Sequence, residues 1–348
     1  FSVVEKSGAI MKAAAYKQQN EMTVIDAPKP RAGAGEVVLK VHNCGICGSD
    51  LHACQYGFGM PPNSIMGHEF CGEIHEVGAG VRGFELGQRV AGLPFVMCGE
   101  CDRCKRGQEI HCLKLKGLGL GQLPGAYAEF VTCATTSLFK LPDNVTSRDG
   151  ALVEPLSVGL HAVKRSGVKA GETAIIMGAG PIGLATLTWA KGKGATVVVS
   201  EIAAGRAGLA DKLGADVVLN PKEKDPVEQV REMTGRAPDL IFECIGIKGT
   251  LDNAINMIGP RGQIVVVGVC MEPDQIQPVQ CIFKEVSVNF ILGYDPVDFD
   301  ETIKALASGR IKPQPMVTDI IAVDEVPEMF RTLRQPGAHA KVLVEFPH

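Results

Sequence analysis

Between residues 157 and 296 short apolar runs alternate with amphipathic stretches, a rhythm of strand followed by helix. Strands are expected at 173–177, 196–200, 217–219, 239–243, 263–268 and 286–292, and helices at 205–213, 226–234 and 249–258. Six strands with helical crossovers fit a doubly wound parallel sheet, so the fold class is α/β. From Lys12 to about Arg89 the period is that of strands, clearest at Val37–Val41 and Gly72–Val77, with Gly- and Pro-rich turns between them. A small antiparallel barrel is expected there. The tail carries one more helix near Phe299–Ser308 and short strands ending in Lys341–Phe346. If those strands return to the barrel, the first domain is discontinuous, 1–156 with 297–348, around a second domain at 157–296. The stretch 93–123 keeps neither rhythm, so something other than an apolar core must order it.

The first strand of the second domain, Thr173–Met177, runs into Gly178-Ala179-Gly180-Pro181-Ile182-Gly183 and then a helix. Each glycine meets a separate steric need, with Gly178 allowing the tight turn, Gly180 the close approach of backbone to a pyrophosphate, and Gly183 the packing of helix on strand. Pro181 suits a first helical turn, where its missing N–H is not needed. Thr196–Ser200 then ends at Glu201, about 20 residues beyond the glycines, where an acid accepts hydrogen bonds from both ribose hydroxyls. A carboxylate there repels a 2′-phosphate, which favours NAD over NADP, although the nearby Arg206 is a cation that tolerates one.

Composition narrows the classes. The 348 residues are long for one core and suggest two domains. Hydrophobic content of 45% and charged content of 21% describe a globular chain. A net charge of -4 without a basic stripe gives no basis for nucleic-acid binding, and no apolar stretch approaches a membrane span. Glu5 and Lys6 interrupt any signal-peptide core, so Met11-Lys12-Ala13-Ala14 reads as the start of the fold and residues 1–10 as an extension. Of twelve cysteines, four crowd into residues 98–112, which points to metal in a reducing cytoplasm rather than to disulfides.

Cys98, Cys101, Cys104 and Cys112 have the spacing C-x2-C-x2-C-x7-C. Four thiolates close a tetrahedral shell around a structural zinc, and four cysteines can also hold iron and sulfur. Zinc is the preferred reading, ordering the lobe at 93–118. A second constellation is dispersed: Cys47 in Gly45–His52, His68 and Glu69 after Gly67, and Glu154 before Pro155. Thiolate, imidazole and carboxylate would form a three-ligand zinc site with an open position. Singly, each also reads as an ordinary buried side chain.

These motifs together resemble the zinc-containing medium-chain alcohol and polyol dehydrogenases, from Lys12 to Phe346. Gly67-His68-Glu69, Gly72, Gly78 and Val81 match the family's zinc signature, followed by Phe84, Gly87, Arg89 and Val90. The resemblance implies a GroES-like catalytic domain beside a Rossmann domain, two zinc ions per subunit, NAD, and a homodimer or homotetramer, joined through the edge strand near Val286–Ile291. It implies that Cys47 and His68 bind the catalytic zinc, that Ser49 takes the alcohol proton with His52 at the outer end of the relay, and that Asp50 orients the histidine. Lys341 corresponds loosely to a pyrophosphate contact. Where simple alcohol dehydrogenases carry a cysteine this chain has Glu154, as in the polyol branch; there either Glu69 or Glu154 completes the zinc shell, the other binding the metal's water. The implied reaction is hydride transfer between NAD and a secondary alcohol or vicinal diol. An NADPH-dependent ketone or aldehyde reductase and a non-catalytic NAD sensor are the alternatives.

Overall fold

The computed structural model describes residues 9–335 and 337–347. The chain divides into two compact units, one reaching Leu152 with Asp319–Gln335 and Val342 onward, the other spanning Val153–Thr318 and ending at Lys341.

In the first unit β1 (Ile10–Gln18) pairs antiparallel with β2 (Glu21–Pro28). β3 (Glu36–Gly45) follows, then helix α1 (Gly48–Tyr56), β4 (Ser64–Ile65), β5 (Glu69–Val77) and β6 (Arg89–Gly92). A protruding lobe holds β7 (Phe95–Val96), α2 (Asp102–Lys105) and β8 (Lys116–Gly117), after which come β9 (Phe130–Ala134), β10 (Leu138–Lys140) and α3 (Ser147–Ala151). β3 is the hub, antiparallel to both β5 and β9. Its Val37, Val38, Leu39 and Val41 are completely buried, the signature of a strand covered on both faces. Val37, Leu39 and Val41 pack with Phe70, Ile74 and Tyr127 in a single core. The reading of residues 1–10 as an extension falls mainly on residues 1–8, outside the described residues; β1 opens at Ile10, opposite Pro28.

The second unit begins with α4 (Val153–Ser166), then β11 (Thr173–Met177), α5 (Pro181–Gly192), β12 (Thr196–Ser200), α6 (Ala204–Lys212) and β13 (Val217–Leu219). It continues through α7 (Pro226–Thr234), β14 (Leu240–Glu243), α8 (Thr250–Met257), β15 (Gln263–Val266), α9 (Pro278–Lys284), β16 (Ser287–Phe290) and α10 (Pro296–Ala307). Its strands are parallel in the order β13-β12-β11-β14-β15-β16, so the order reverses between β11 and β14. A crevice at the carboxyl ends of strands is expected at such a reversal. The chain closes with β17 (Val317–Ile321), α11 (Val326–Leu333) and β18 (Lys341–Glu345); β18 joins β3, with Leu343 opposite Gly45.

The discontinuous barrel is present, but the expected boundaries move. The division falls at Leu152 rather than 156 and the return at Asp319 rather than 297. α4 packs along its length on α5 and α10 and cannot be split between units. α10 also starts three residues before the expected 299, because Asp295 and Asp298 form a capping box around Pro296.

One buried carboxylate ties α10 to α4. Asp298 is 2% exposed, its two oxygens lie 2.7 Å from His161 Nδ1 and 2.7 Å from Lys164 Nζ, and Lys164 also meets Glu301 at 2.7 Å. Burial alone would disfavour ionisation, yet the hydrogen bonds from His161 and Lys164 hold the Asp298 pKa below its ordinary value. The unfolded chain therefore takes up this proton first on acidification, and stability present at neutral pH is lost as pH falls through the native pKa. Asp298→Asn should lower the unfolding free energy at pH 7 by about 3 kcal/mol, the lower end for breaking a buried pair, because Lys164 stays partly solvated. Denaturant titrations should show the deficit shrinking below about pH 4; a deficit independent of pH would refute the assignment.

Candidate active site

Helix α1 is organised by its first residues. Cys47 is its N-cap in extended conformation, and Asp50, at the third helical position, accepts from the Cys47 N–H at 3.0 Å. The same carboxylate takes the Tyr127 hydroxyl at 2.7 Å and lies 3.0 Å from His68 Nδ1. Asp50 is completely buried, so each of these contacts replaces lost water. An N–H at Nδ1 leaves the lone pair of His68 on Nε2, the tautomer a metal needs. Glu69 opens β5 directly after His68, and the pairing of Gly45 with Glu69 brings that carboxylate beside the end of β3. The donor atoms of Cys47, His68 and Glu69 lie within 4.8 Å of one another. Burial by itself would lower the His68 pKa, but Asp50 and Cys47 raise it well above the ordinary imidazole value. Such concentrated negative charge suits a divalent cation, and thiolate, imidazole and carboxylate suit zinc.

The four-cysteine lobe passes a sharper geometric test. Sulfur–sulfur separations are 3.5 Å for Cys101–Cys104 and Cys98–Cys112, and 4.0 Å for Cys98–Cys104 and Cys101–Cys112. Zinc–sulfur bonds of about 2.3 Å make a tetrahedron with edges of about 3.8 Å, so these thiols already stand where one tetrahedral ion needs them. A four-iron cluster binds each thiolate to a different iron and needs them wider apart. Backbone N–H groups of Cys104 and Leu113 lower the Cys101 thiol to about 6, and those of Cys98 and Lys114 lower Cys112. That favours thiolates at these two positions, whereas burial pushes the Cys104 thiol up to about 12.

In the second unit Gly178 takes φ +90° at the end of β11, and a side chain on Gly183 would lie 1.9 Å from the Gly178 carbonyl. Helix α5 can therefore start only with glycine there. Gly180 is its N-cap, Pro181 fills the first position and Ile182 is half-buried beside it. The free N–H groups of this terminus form an anion site. Glu201, 4% exposed at the end of β12, accepts from Ala179 N at 2.8 Å and Ala203 N at 2.8 Å and pairs with Arg206 at 2.9 Å.

A model for the alcohol dehydrogenase GroES-like domain matches residues 33–143, and one for zinc-binding dehydrogenases matches 181–308. The chain is 37% identical to 2-dehydro-3-deoxy-L-galactonate 5-dehydrogenase of Pseudoalteromonas atlantica, over 96% of this chain and 98% of that protein. It is 35% identical to (R,R)-butanediol dehydrogenase of Bacillus subtilis, over 96% and 99%. The protein is a zinc-containing medium-chain dehydrogenase of the polyol branch. Its fold matches a zinc-binding dehydrogenase from Sinorhizobium meliloti bound to NADP, with TM-score 0.89 and 32% identity over 97% of this chain and 100% of the other.

Within this dehydrogenase the expected residues are distributed unevenly. Ser49 Oγ lies 3.3 Å from His68 Nε2, joining the hydroxyl to the ligand cluster. His52, one turn along α1, sets its ring edge toward Tyr56 at 6.3 Å between centroids. Glu154 is buried in the first turn of α4, in the second unit. Lys341 is completely buried at the start of β18, so its ammonium group is not presented to solvent. Tyr127 was not anticipated: it stands 77 residues from Asp50 with no motif around it, and only its hydrogen bond marks it. Asp50→Asn keeps the shape but loses the charge that fixes the His68 tautomer. Competition with a chelator should show zinc affinity at the Cys47 cluster reduced about 10–100-fold, and an unchanged affinity would remove Asp50 from the site.

Proposed function

We propose that the protein oxidises a secondary alcohol or vicinal diol to the ketone, and runs the reverse reduction, with NAD as hydride carrier. The observation that carries this reading is the convergence of Cys47, His68 and Glu69 with the Ser49 hydroxyl 3.3 Å from His68. Zinc bound by these donors supplies a Lewis acid that lowers the pKa of the substrate hydroxyl. Ser49 Oγ would receive the hydroxyl proton, and His52 would stand at the outer end of the relay that releases it. Burial lowers the His52 pKa, so its imidazole is neutral at pH 7 and able to accept. Asp50 holds His68 in the ligating tautomer. Glu69 is the third donor on this reading, because its carboxylate stands in the Cys47–His68 cluster; Glu154 is the second acid of the polyol branch.

The glycine loop and the α5 N-terminus bind the pyrophosphate, with Glu201 on the ribose. A buried acid at that place disfavours a 2′-phosphate. One observation favours the other reading, NADPH-dependent reduction: Arg206 Nε is buried with no hydrogen-bond partner among the described residues. The exposed edge strand β16, with Phe290 68% exposed, is the surface for the homodimer or homotetramer, which the mass in solution tests. No described helix is long and apolar enough to cross a membrane, and a reducing cytoplasm suits eight cysteines outside the lobe that form no disulfide.

The deciding assay is NAD reduction against secondary alcohols, vicinal diols and polyols, repeated after metal removal and zinc restoration. Turnover should concentrate on one class and follow zinc, and Cys47→Ala should lose it while still binding NAD; an active Cys47→Ala enzyme would refute the ligand set. Glu201→Ala should weaken NAD about 10–100-fold, the worth of a charged hydrogen bond, with a smaller loss for NADP. An unchanged preference between the two cofactors would assign selectivity elsewhere and favour the Arg206 reading.

A further inference from the structure

The four-cysteine lobe ends against the peptide that carries His68. Strands β7 and β8 close its base, with Phe95 opposite Gly117 and Val96 opposite Lys116. The exit from β8 is rigid: Leu118 N donates to Pro94 O at 2.8 Å and Gly119 N to Leu123 O at 2.9 Å. Gly119, at φ +79°, lies flat on the backbone before His68. A Cβ on it would sit 2.2 Å from the Gly67 carbonyl oxygen, 2.6 Å from its carbon and 3.0 Å from its nitrogen.

Other contacts hold the same peptide from its remaining sides. A Cβ on Gly125 would lie 2.3 Å from Met66 O and 2.5 Å from Gly119 Cα. Tyr127 N donates to Met66 O at 2.8 Å and Ala126 N to Gly67 O at 2.9 Å. Residues 66 and 67 thus have no free direction, and the next residue is His68. A methyl group on Gly119 must displace Gly67 by about 1 Å to reach ordinary contact distance. Metal sites tolerate ligand errors of only about 0.2 Å.

We infer that Gly119 is a positioning residue, through which the folded four-cysteine lobe sets His68 and so the metal affinity of the Cys47–His68–Glu69 cluster. The inference rests on the reading of that cluster as a metal site. It gives the lobe a second role besides ordering itself, because its metal, when bound, stiffens the base from which residues 117–119 reach Gly67.

The test compares Gly119→Ala with Gly83→Ala. Gly83 has nearly the same backbone angle, φ +81°, with nothing within 4 Å of a Cβ, so it carries the same backbone strain without the contact. Zinc per chain and the absorption of cobalt(II)-loaded protein report the two sites separately, since cobalt bound by four thiolates and cobalt bound by one absorb differently. Wild type and Gly83→Ala should hold two metals. Gly119→Ala should keep the lobe metal while cobalt affinity at the Cys47 cluster falls at least tenfold and its absorption shifts. Cys101→Ser, which removes one of the lobe's four thiols, should lower the same affinity. Wild-type affinity in Gly119→Ala, or an unaffected cluster in Cys101→Ser, would overturn the inference; if Gly119→Ala does not fold, Cys101→Ser decides. Wild type holding metal in the lobe alone would overturn the cluster reading, and the inference with it.

Discussion

A carboxylate with no exposure to water must find its hydrogen bonds inside the protein, and the Asp50 side chain finds them from residues far apart in the chain. Leaving it unpaired would cost several kcal/mol. Its partners are the Cys47 backbone, the His68 ring and the Tyr127 hydroxyl. Satisfying one charge therefore fixes the start of α1, the start of β5 and the segment entering β9. Cys47, His68 and Glu69 converge because their backbones are held by this demand and by the β3–β5 ladder. The chemistry of the first unit is a consequence of how Asp50 is buried.

The second unit uses the same device. Glu201 caps Ala179 in the glycine turn, and Glu243, 2% exposed at the end of β14, accepts from Ile245 N at 2.8 Å and Gly246 N at 2.9 Å. These acids stand at the ends of β12 and β14, the strands on either side of β11. Backbone N–H groups that sheet and helix cannot satisfy are paired by buried carboxylates. The buried carboxylate of Asp298 pairs instead with side chains of α4, those of His161 and Lys164, and so anchors that helix to α10.

Much of this was legible in the residues. Strands β11 and β12 are short apolar runs buried almost throughout, so their limits, 173–177 and 196–200, follow from composition alone. The four-cysteine lobe is legible because its ligands lie within fifteen residues and loop closure over so short a span leaves few geometries. The glycine loop is legible because each glycine answers a steric demand made within a few residues. The start of α10 at Pro296 was legible too, in the Asp295–Asp298 pair, but hydrophobic period alone places it later.

What local sequence determined was therefore every element whose cause lies within a turn or a strand: the parallel sheet, the dinucleotide turn, the thiolate lobe. Tertiary structure alone decided the rest. It set the boundary at Leu152, since α4 belongs where its packing partners are. It brought the Glu69 carboxylate to Cys47 and His68, through a strand register no spacing rule encodes. It gave Asp50 its third partner in Tyr127, and laid Gly119 on Gly67. Each of these joins residues separated by tens of positions, where burial of charge and exclusion of volume select the partner, and neither acts until the chain has closed on itself.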